Sequence, residues 1–246
     1  MVTADRQVRQ LLVQWRNDVD GVIYPVGVLE RDERFRFFYL PRALELPSFR
    51  PLPAFPELDQ SYESDTLFDF FAVRVMDRRR PEYKAFLAAL DLAPGDDDLT
   101  VLARSGGRRR GDFVSVVAQP IVSDDGHTSH VFLVAGVRHV ADHEARDRAL
   151  ATLQRGDALG VDTEPGNPVN SNALVVVTPD GGARLGWVPD GLVHYVRRLL
   201  DSTTLTLRVV RVNGPAQPDQ LRLLVAAEGR LPEGSPALPQ LLVGVR

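Results

Sequence analysis

EPGNPVNSNALVVVTPDGG, residues 164–182, is the most specific structural signal in this chain. Its first half is rich in Asn and Pro, which favour a tight turn, and residues 174–177 are a wholly apolar strand. Pro-Asp-Gly at residues 179–181 reverses the chain, and a second strand is predicted over residues 183–188. Proline is favoured at the first helical position, so we expect a helix to begin at Pro189. The apolar face of that helix follows helical spacing and consists of Leu192, Val196, Leu199 and Leu200.

Three short motifs in this region resemble the HIRAN domain, a small β-barrel module of some DNA-repair and chromatin-remodelling ATPases and of bacterial proteins. They are Asn167-Pro168, Asn172-Ala173 and Gly186-Trp187-Val188-Pro189. The resemblance implies a domain that grips the 3′ end of single-stranded DNA. In that family, aromatic rings stack on the terminal bases and an aspartate accepts a hydrogen bond from the 3′-hydroxyl.

The sequence departs from the family at both of these functions. Val169 stands where the family turn has a tyrosine, and Asn170 stands where it has the aspartate. An asparagine oxygen still accepts a hydrogen bond from a hydroxyl, and Trp187 and Tyr195 offer rings from the next strand and helix. The candidate DNA-binding residues are therefore Asn167, Val169, Asn170, Trp187, His194, Tyr195 and Arg198. Two alternatives stay open: the asparagines only satisfy the backbone of a tight turn, and Trp187 belongs to the core.

The N-terminal half has its own pattern. Apolar runs at residues 11–15, 24–29 and 35–40 predict a β-meander, and the five prolines within residues 41–59 predict irregular chain. Three helices are predicted: one over residues 67–76 with caps at Ser64-Asp65-Thr66, one after Pro81, and one over residues 99–104. Two further strands are predicted over residues 113–119 and 130–137.

These segments resemble the N-terminal, non-kinase part of HipA-like proteins. The matching residues are 24–29, 35–40, 62–71, 80–83 and 102–109. In HipA-like toxins that part packs on a kinase core and helps to meet an antitoxin and DNA. No kinase core follows it in this sequence, so the resemblance implies no kinase activity.

A second candidate site is the glycine- and arginine-rich stretch RSGGRRRG, residues 104–111. Its cationic side chains are Arg104, Arg108, Arg109 and Arg110. Guanidinium groups and backbone amides in such a loop hold phosphate, although the motif lacks the Gly-Lys-Ser/Thr ending of a P-loop. Residues 78–80, three further arginines, extend the same patch in this interpretation. The alternative is a solvated loop that balances the acidic residues 96–98.

Composition excludes several classes of function. The chain has no cysteine, so it has no disulfide, thiolate nucleophile or zinc finger, which suits a cytoplasmic protein. His139 and His143 are four residues apart, but no third ligand is indicated, and we predict no metal. No catalytic or cofactor motif is present, so we predict neither an enzyme nor a cofactor. No apolar run is long enough to span a membrane.

Charge constrains any nucleic-acid site. The formal net charge is −4, and residues 150–246 contain nine Arg and nine acidic residues, so residues 1–149 carry the whole excess. Phosphate neutralisation dominates non-specific DNA affinity. Binding therefore requires a local positive patch or an end-specific pocket.

We predict an α+β protein of two domains: a HipA-like mixed α+β domain over residues 1–140, a connecting helix over 141–155, and a HIRAN-like β-barrel with one or two helices over 156–246. The predicted partner is nucleic acid, as a DNA end or single strand, in a repair, restriction or defence context. The alternative is a protein–protein adaptor or antitoxin-like regulator whose HIRAN-like face binds a protein. The sequence does not predict the oligomeric state.

Overall fold

A computed structural model describes residues 8–19, 21–46, 48–109 and 111–232. The chain divides into two units, and each contains one antiparallel sheet. Of the described residues, those within 8–87 and 92–119 belong to the first unit, and those within 88–91 and 120–232 belong to the second. The predicted α+β class is confirmed. The sequence also predicts a final edge strand within residues 241–245, which lie outside the described residues.

The first unit is organised around a five-stranded sheet. Its strands are β1 Gln10–Arg16, β2 Ile23–Arg31, β3 Phe35–Tyr39, β4 Ser61–Ser64 and β5 Val114–Ala118. They lie in the order β4-β3-β2-β1-β5, and all pairs are antiparallel. The predicted meander, β1 to β3, is confirmed. Strand β5 joins it on the far side of β1 and places Val114 opposite Trp15.

The helices of this unit are short. They are α1 Pro41–Leu44, α2 Asp69–Ala72, α3 Tyr83–Ala89 and α4 Asp98–Ser105. The last two confirm predictions, and Asp97 caps α4 by accepting a hydrogen bond from Thr100 N at 2.8 Å. The helix predicted over residues 67–76 is wrong, because only α2 is helical there. Its expected cap, Ser64, instead ends β4 and pairs with Phe35.

Phenylalanine rings fill the space between the sheet and the connecting segments. Phe37 on β3 lies 4.2 Å from Phe55 and 5.8 Å from Phe71, measured between ring centroids. All three side chains are buried. The irregular segment and α2 therefore fold over the sheet by contributing rings to its core.

The second unit contains a seven-stranded sheet. Its strands are β6 Ile121–Val122, β7 His127–Leu133, β8 Ala158–Thr163, β9 Leu174–Val177, β10 Arg184–Trp187, β11 Thr206–Val212 and β12 Leu223–Arg230. The order is β10-β9-β8-β11-β12-β7-β6. Strand β7 pairs with β12 along its whole length. It therefore belongs to this unit, which begins at Pro120, whereas the sequence pattern placed residues 120–140 in the N-terminal domain.

The described strands do not form a closed barrel. Among the described residues, one isolated bridge, Ala135 with Trp187, links β10 to the residues after β7. Its two N–H···O hydrogen bonds are both 2.8 Å long. Glycines make this close approach sterically possible. A Cβ on Gly186, which has φ of 142°, would lie 2.5 Å from Ala135 O, and one on Gly136, which has φ of 66°, would lie 2.7 Å from the Trp187 ring.

Two longer helices complete this unit: α5 His143–Thr152 and α6 Asp190–Asp201. Asp142 caps α5 by accepting a hydrogen bond from Ala145 N at 2.8 Å. The helix predicted over residues 141–155 is observed over His143–Thr152. Pro189 is the N-cap of α6 and not its first helical residue, so the helix begins at Asp190, one residue later than predicted. Within the described ranges, no helix combines the length and the apolar character needed to cross a membrane.

The bridge yields a prediction on stability. Gly186→Ala places a methyl group against the Ala135 carbonyl at a φ that only glycine adopts readily, so we expect the free energy of unfolding to fall by about 2 kcal/mol or more. Gly214→Ala in the same unit is the control, because its new methyl group would have no other atom within 4 Å. We expect that variant to stay within about 0.5 kcal/mol of wild type. Urea unfolding of both variants checks this, and equal stabilities would contradict it.

Candidate nucleic-acid interface

A carboxylate holds the turn between β8 and β9 together. Glu164 Oε2 accepts hydrogen bonds from Asn167 Nδ2 and Trp187 Nε1, each at 2.8 Å. Its other oxygen pairs with the guanidinium of Arg184 on β10. The hydrogen bonds from Asn167 and Trp187, followed by the interactions with Arg184, lower the pKa of Glu164. Glu164 therefore fixes the start of the turn to the neighbouring strand.

The two predicted asparagines stabilise the turn from within. Asn167 Oδ1 accepts hydrogen bonds from the backbone amides of Val169 and Asn170, at 3.0 and 3.1 Å. Asn170 Oδ1 accepts one from Asn172 N at 2.9 Å. Asn170 Nδ2 donates to Asp190 Oδ1, at the start of α6, over 2.7 Å. Both side chains therefore bind the protein itself, as the turn-building alternative proposed.

Helix α6 divides its candidate residues between two faces. The prediction that Tyr195 offers its ring to DNA is corrected by the structure, because the side chain is fully buried. Its hydroxyl lies 3.1 Å from Thr128 Oγ1. Burial raises the pKa of Tyr195 to about 12. The reason is helical spacing, since Tyr195 lies three residues after buried Leu192 and four before buried Leu199. Its ring is part of the core and does not face a ligand.

His194 and Arg198 lie one helical turn apart on the outer side of α6. His194 is exposed and Arg198 is partly exposed. Partial burial, followed by the neighbouring charge of Arg198, lowers the pKa of His194. Val169, at the tip of the turn, is 49% exposed. Trp187 is only partly buried, but its indole N–H is engaged by Glu164.

Glu164→Gln tests the turn. The variant keeps one acceptor oxygen but loses the charge that Trp187 and Arg184 bind, so we expect the free energy of unfolding at pH 7 to fall by about 1–3 kcal/mol. Because the folded-state pKa is lowered, this stabilisation is present above the unfolded pKa of about 4.3 and disappears as pH falls through the folded value. Thermal unfolding from pH 7 down to pH 3 checks this.

The control for that measurement is Glu144→Gln on α5, whose side chain is 88% exposed. Exposed ion pairs contribute little, so we expect almost no change at any pH. A difference between wild type and Glu164→Gln that is constant across the pH range would contradict the role of the ionised carboxylate.

A buried arginine anchors the arginine-rich stretch of the first unit on both sides of Arg108 and Arg109. Arg74, with a side chain 2% exposed, donates to Gly107 O at 3.2 Å and to Asp112 Oδ2 at 2.5 Å. Its Nε donates to Phe70 O at 3.1 Å, and its guanidinium lies 4.4 Å from the Phe70 ring centroid. A buried guanidinium is stable only when its donors are satisfied. The loop is therefore held in a defined position.

The predicted phosphate-binding residues differ in exposure. Arg108 and Arg109 are exposed, and Arg104 is partly buried in the last turn of α4. Arg110 lies outside the described residues. The three arginines at 78–80 do not add to the positive charge of this loop in the predicted way, because each forms an ion pair with a nearby carboxylate. The pairs are Arg78 with Asp98, Arg79 with Asp77 and Arg80 with Glu82.

The loop borders an open cleft of about 540 Å³ in the first unit. Arg109 and Phe113 line it from the loop side, and Trp15 and Arg50 line it from β1 and from the proline-containing segment. The sequence analysis missed Trp15, Arg50 and Phe113. No local pattern joins them, because the pairing of β1 with β5 brings Trp15 beside the residue that follows Phe113.

The two histidines considered for metal binding belong to different elements. His139 ends the 3₁₀ helix Val137–His139 and accepts a hydrogen bond from Arg138 Nε at 3.0 Å, whereas His143 begins α5. They do not share one helical face. Among the described residues, no three potential ligands from His, Asp or Glu form a metal-binding group.

Comparisons with known proteins give partial structural matches. A crystal structure of a Lactobacillus plantarum protein, a structural genomics target, matches at 25% identity and a TM-score of 0.32, over 42% of this chain and 97% of that chain. The crystal structure of the HIRAN domain of human HLTF matches at 15% identity and a TM-score of 0.30, over 46% of this chain and 81% of that chain. No protein-family model matches the sequence, and no curated protein matches it.

A HIRAN domain is thus a structural neighbour of part of the chain, at low identity. TM-scores of this size do not establish a common fold. The family assignment therefore stays a prediction from the sequence motifs, and so does the resemblance of residues 1–140 to HipA-like proteins.

Proposed function

We propose that this chain is a non-enzymatic nucleic-acid-binding module that holds a single strand. The observation that carries the proposal is the arginine-rich loop: Arg108 and Arg109 are exposed on a segment that Arg74 attaches at Gly107 and Asp112. Anchoring the chain on both sides of these arginines lowers the ordering cost of presenting their guanidinium groups to phosphate. Phe113, 49% exposed, follows on the same segment and adds a ring suited to stacking on bases.

The charge distribution supports a local site of this kind. The chain as a whole has a net charge of −4, so long-range attraction to nucleic acid is absent. Near the loop, however, Asp112 is paired with Arg74 and Asp98 with Arg78. These pairs remove nearby negative charge from competition with phosphate. The proposed affinity is therefore local and sensitive to salt.

In this proposal, residues 156–246 are a HIRAN-like module, and Trp187 on β10 of its sheet is bridged to Ala135, which follows β7. The turn at residues 164–172 contributes less to binding than the sequence suggested, because Asn167 and Asn170 are engaged within the protein. His194, which is exposed, and Arg198, which is partly exposed, lie on the outer side of α6, and we propose them as further contacts. A repair, restriction or defence context belongs to the same proposal.

A protein-binding role is the second candidate. The exposed Val169 supports it, since the polar atoms around this apolar tip are already hydrogen-bonded. Such a surface suits a protein partner better than a 3′-hydroxyl. An adaptor of this kind predicts complex formation that depends little on salt.

Fluorescence anisotropy distinguishes these functions. We propose to titrate a single strand with a free 3′-hydroxyl, the same strand with a 3′-phosphate, and a blunt duplex, each across a series of salt concentrations. We expect the two single strands to bind equally and the duplex more weakly. Preference for the free hydroxyl would restore the turn as the site, and no binding at low salt would overturn the proposed function.

Arg109→Gln locates the contact. The loss of one phosphate contact with a single strand reduces the slope of log affinity against log salt by about 0.7 in magnitude. The matched control is Arg79→Gln, whose side chain is 91% exposed in the same unit but is paired with Asp77. We expect that control to leave the slope unchanged. An unchanged slope in Arg109→Gln would exclude this arginine from the site.

A further inference from the structure

The cleft beside the arginine-rich loop carries an inference that deepens the proposed function and rests on it. This cleft has a volume of about 540 Å³, which lies in the range of ordinary small-ligand sites, about 300–1,000 Å³. Its walls come from three parts of the first unit that are distant in sequence: the end of β1 and the residues after it, residues 48–53, and residues 109 and 111–114. All of these lining residues belong to one unit.

Aromatic rings form much of its lining. Trp15 lines the cleft and is supported from within the unit by Phe49, whose ring packs edge-on at 5.3 Å between centroids. Tyr24 stacks against Trp15 at 6.4 Å. Phe113 also lines the cleft, and its exposed ring makes no aromatic contact with another described residue. A supported ring and an exposed ring at one opening are the arrangement in which a flat apolar ligand is bound by stacking.

The charges around these rings favour an anion attached to that flat ligand. Arg50 and Arg109 line the cleft, and both carry a permanent positive charge. Two carboxylates also line it, Asp18 and Asp112. The charge of Asp112 is matched by Arg74, which leaves Asp18 to oppose the two guanidinium groups. A nucleotide, which joins a flat base to a phosphate, fits this combination.

Both long walls are fixed by buried polar side chains. The Tyr39 hydroxyl accepts a hydrogen bond from Leu52 N at 2.7 Å and donates one to Phe55 O at 2.8 Å. Arg74 fixes the other wall through Gly107 and Asp112. Burial raises the pKa of Tyr39 to about 12, so the hydroxyl stays protonated and keeps both bonds at neutral pH. A cleft with fixed walls binds without first ordering its own chain.

We infer that this cleft is a nucleobase site: it takes an unpaired base of the bound strand against Phe113 and Trp15, while Arg109 and Arg50 contact the adjoining phosphates. Stacking accepts any base, because every base has a π-face, so the site is expected to show little sequence preference. It also explains the expected discrimination against a duplex, whose bases are already stacked on each other.

The test uses the full chain, an oligothymidylate of about 12 nucleotides and a strand of the same length whose sugars carry no bases. Phe113→Ala removes an exposed ring, so we expect the variant to fold and to bind the oligothymidylate roughly 5- to 150-fold more weakly than wild type. Binding of the base-free strand is expected to be weak and equal for both proteins. Val73→Ala is the control, because Val73 is 56% exposed and does not line the cleft.

A fluorescence measurement provides a second readout. The chain contains two tryptophans, so Trp187→Phe leaves Trp15 as the sole indole. We expect the oligothymidylate to quench Trp15 fluorescence and the base-free strand to leave it unchanged.

The outcomes separate this inference from the proposed function. If wild type binds neither strand, both are overturned. If it binds the oligothymidylate but Phe113→Ala binds it equally well, or if the base-free strand binds as tightly as the oligothymidylate, the nucleobase site is overturned and a phosphate-only contact at the loop remains.

Discussion

The buried guanidinium of Arg74 is the constraint on which the N-terminal site depends. A charged group with a side chain 2% exposed must have its donors satisfied, and the partners it finds are Phe70 O, Gly107 O and Asp112. The last two flank Arg108 and Arg109 in the sequence. Removal of one partner from such a group is strongly destabilising. The hydrogen bonds that satisfy Arg74 therefore also help to position Arg109 and Phe113, which are neighbours of Gly107 and Asp112 in the sequence.

The second unit uses a partly buried carboxylate in a similar way. Glu164 accepts hydrogen bonds from Asn167 in its own turn and from Trp187 on β10. Within the turn, Asn167 accepts a hydrogen bond from a backbone amide, and Asn170 donates one to Asp190. This arrangement explains why polar residues that match a ligand-binding motif make poor ligands here. Their hydrogen-bonding capacity is largely used in the folded state, and a ligand must compete with those bonds.

Local patterns predicted the elements whose formation is local. Alternation and turn residues gave β1 to β3, a capping aspartate gave α4, and helical spacing gave α6. The same reasoning failed for residues 67–76, because the pairing of β3 with β4 used the expected cap, Ser64, for a strand. It also assigned residues 120–140 to the N-terminal domain, although they belong to the second unit. The reason is that the partner of β7 is β12, about a hundred positions later in the chain. Non-local pairing leaves little signal in one sequence.

The candidate site likewise contains residues that the sequence predicted and residues that it did not. The arginines at 108 and 109 were predictable from composition, since a run of cations beside glycines is visible in the sequence itself. Their aromatic neighbours were not, because Trp15 and Phe113 become neighbours only when β5 pairs with β1. Charge alone would give this acidic chain a weak, non-specific contact with phosphate. In the nucleobase site that we propose, the rings would add an attraction that salt does not screen and that the net charge does not oppose.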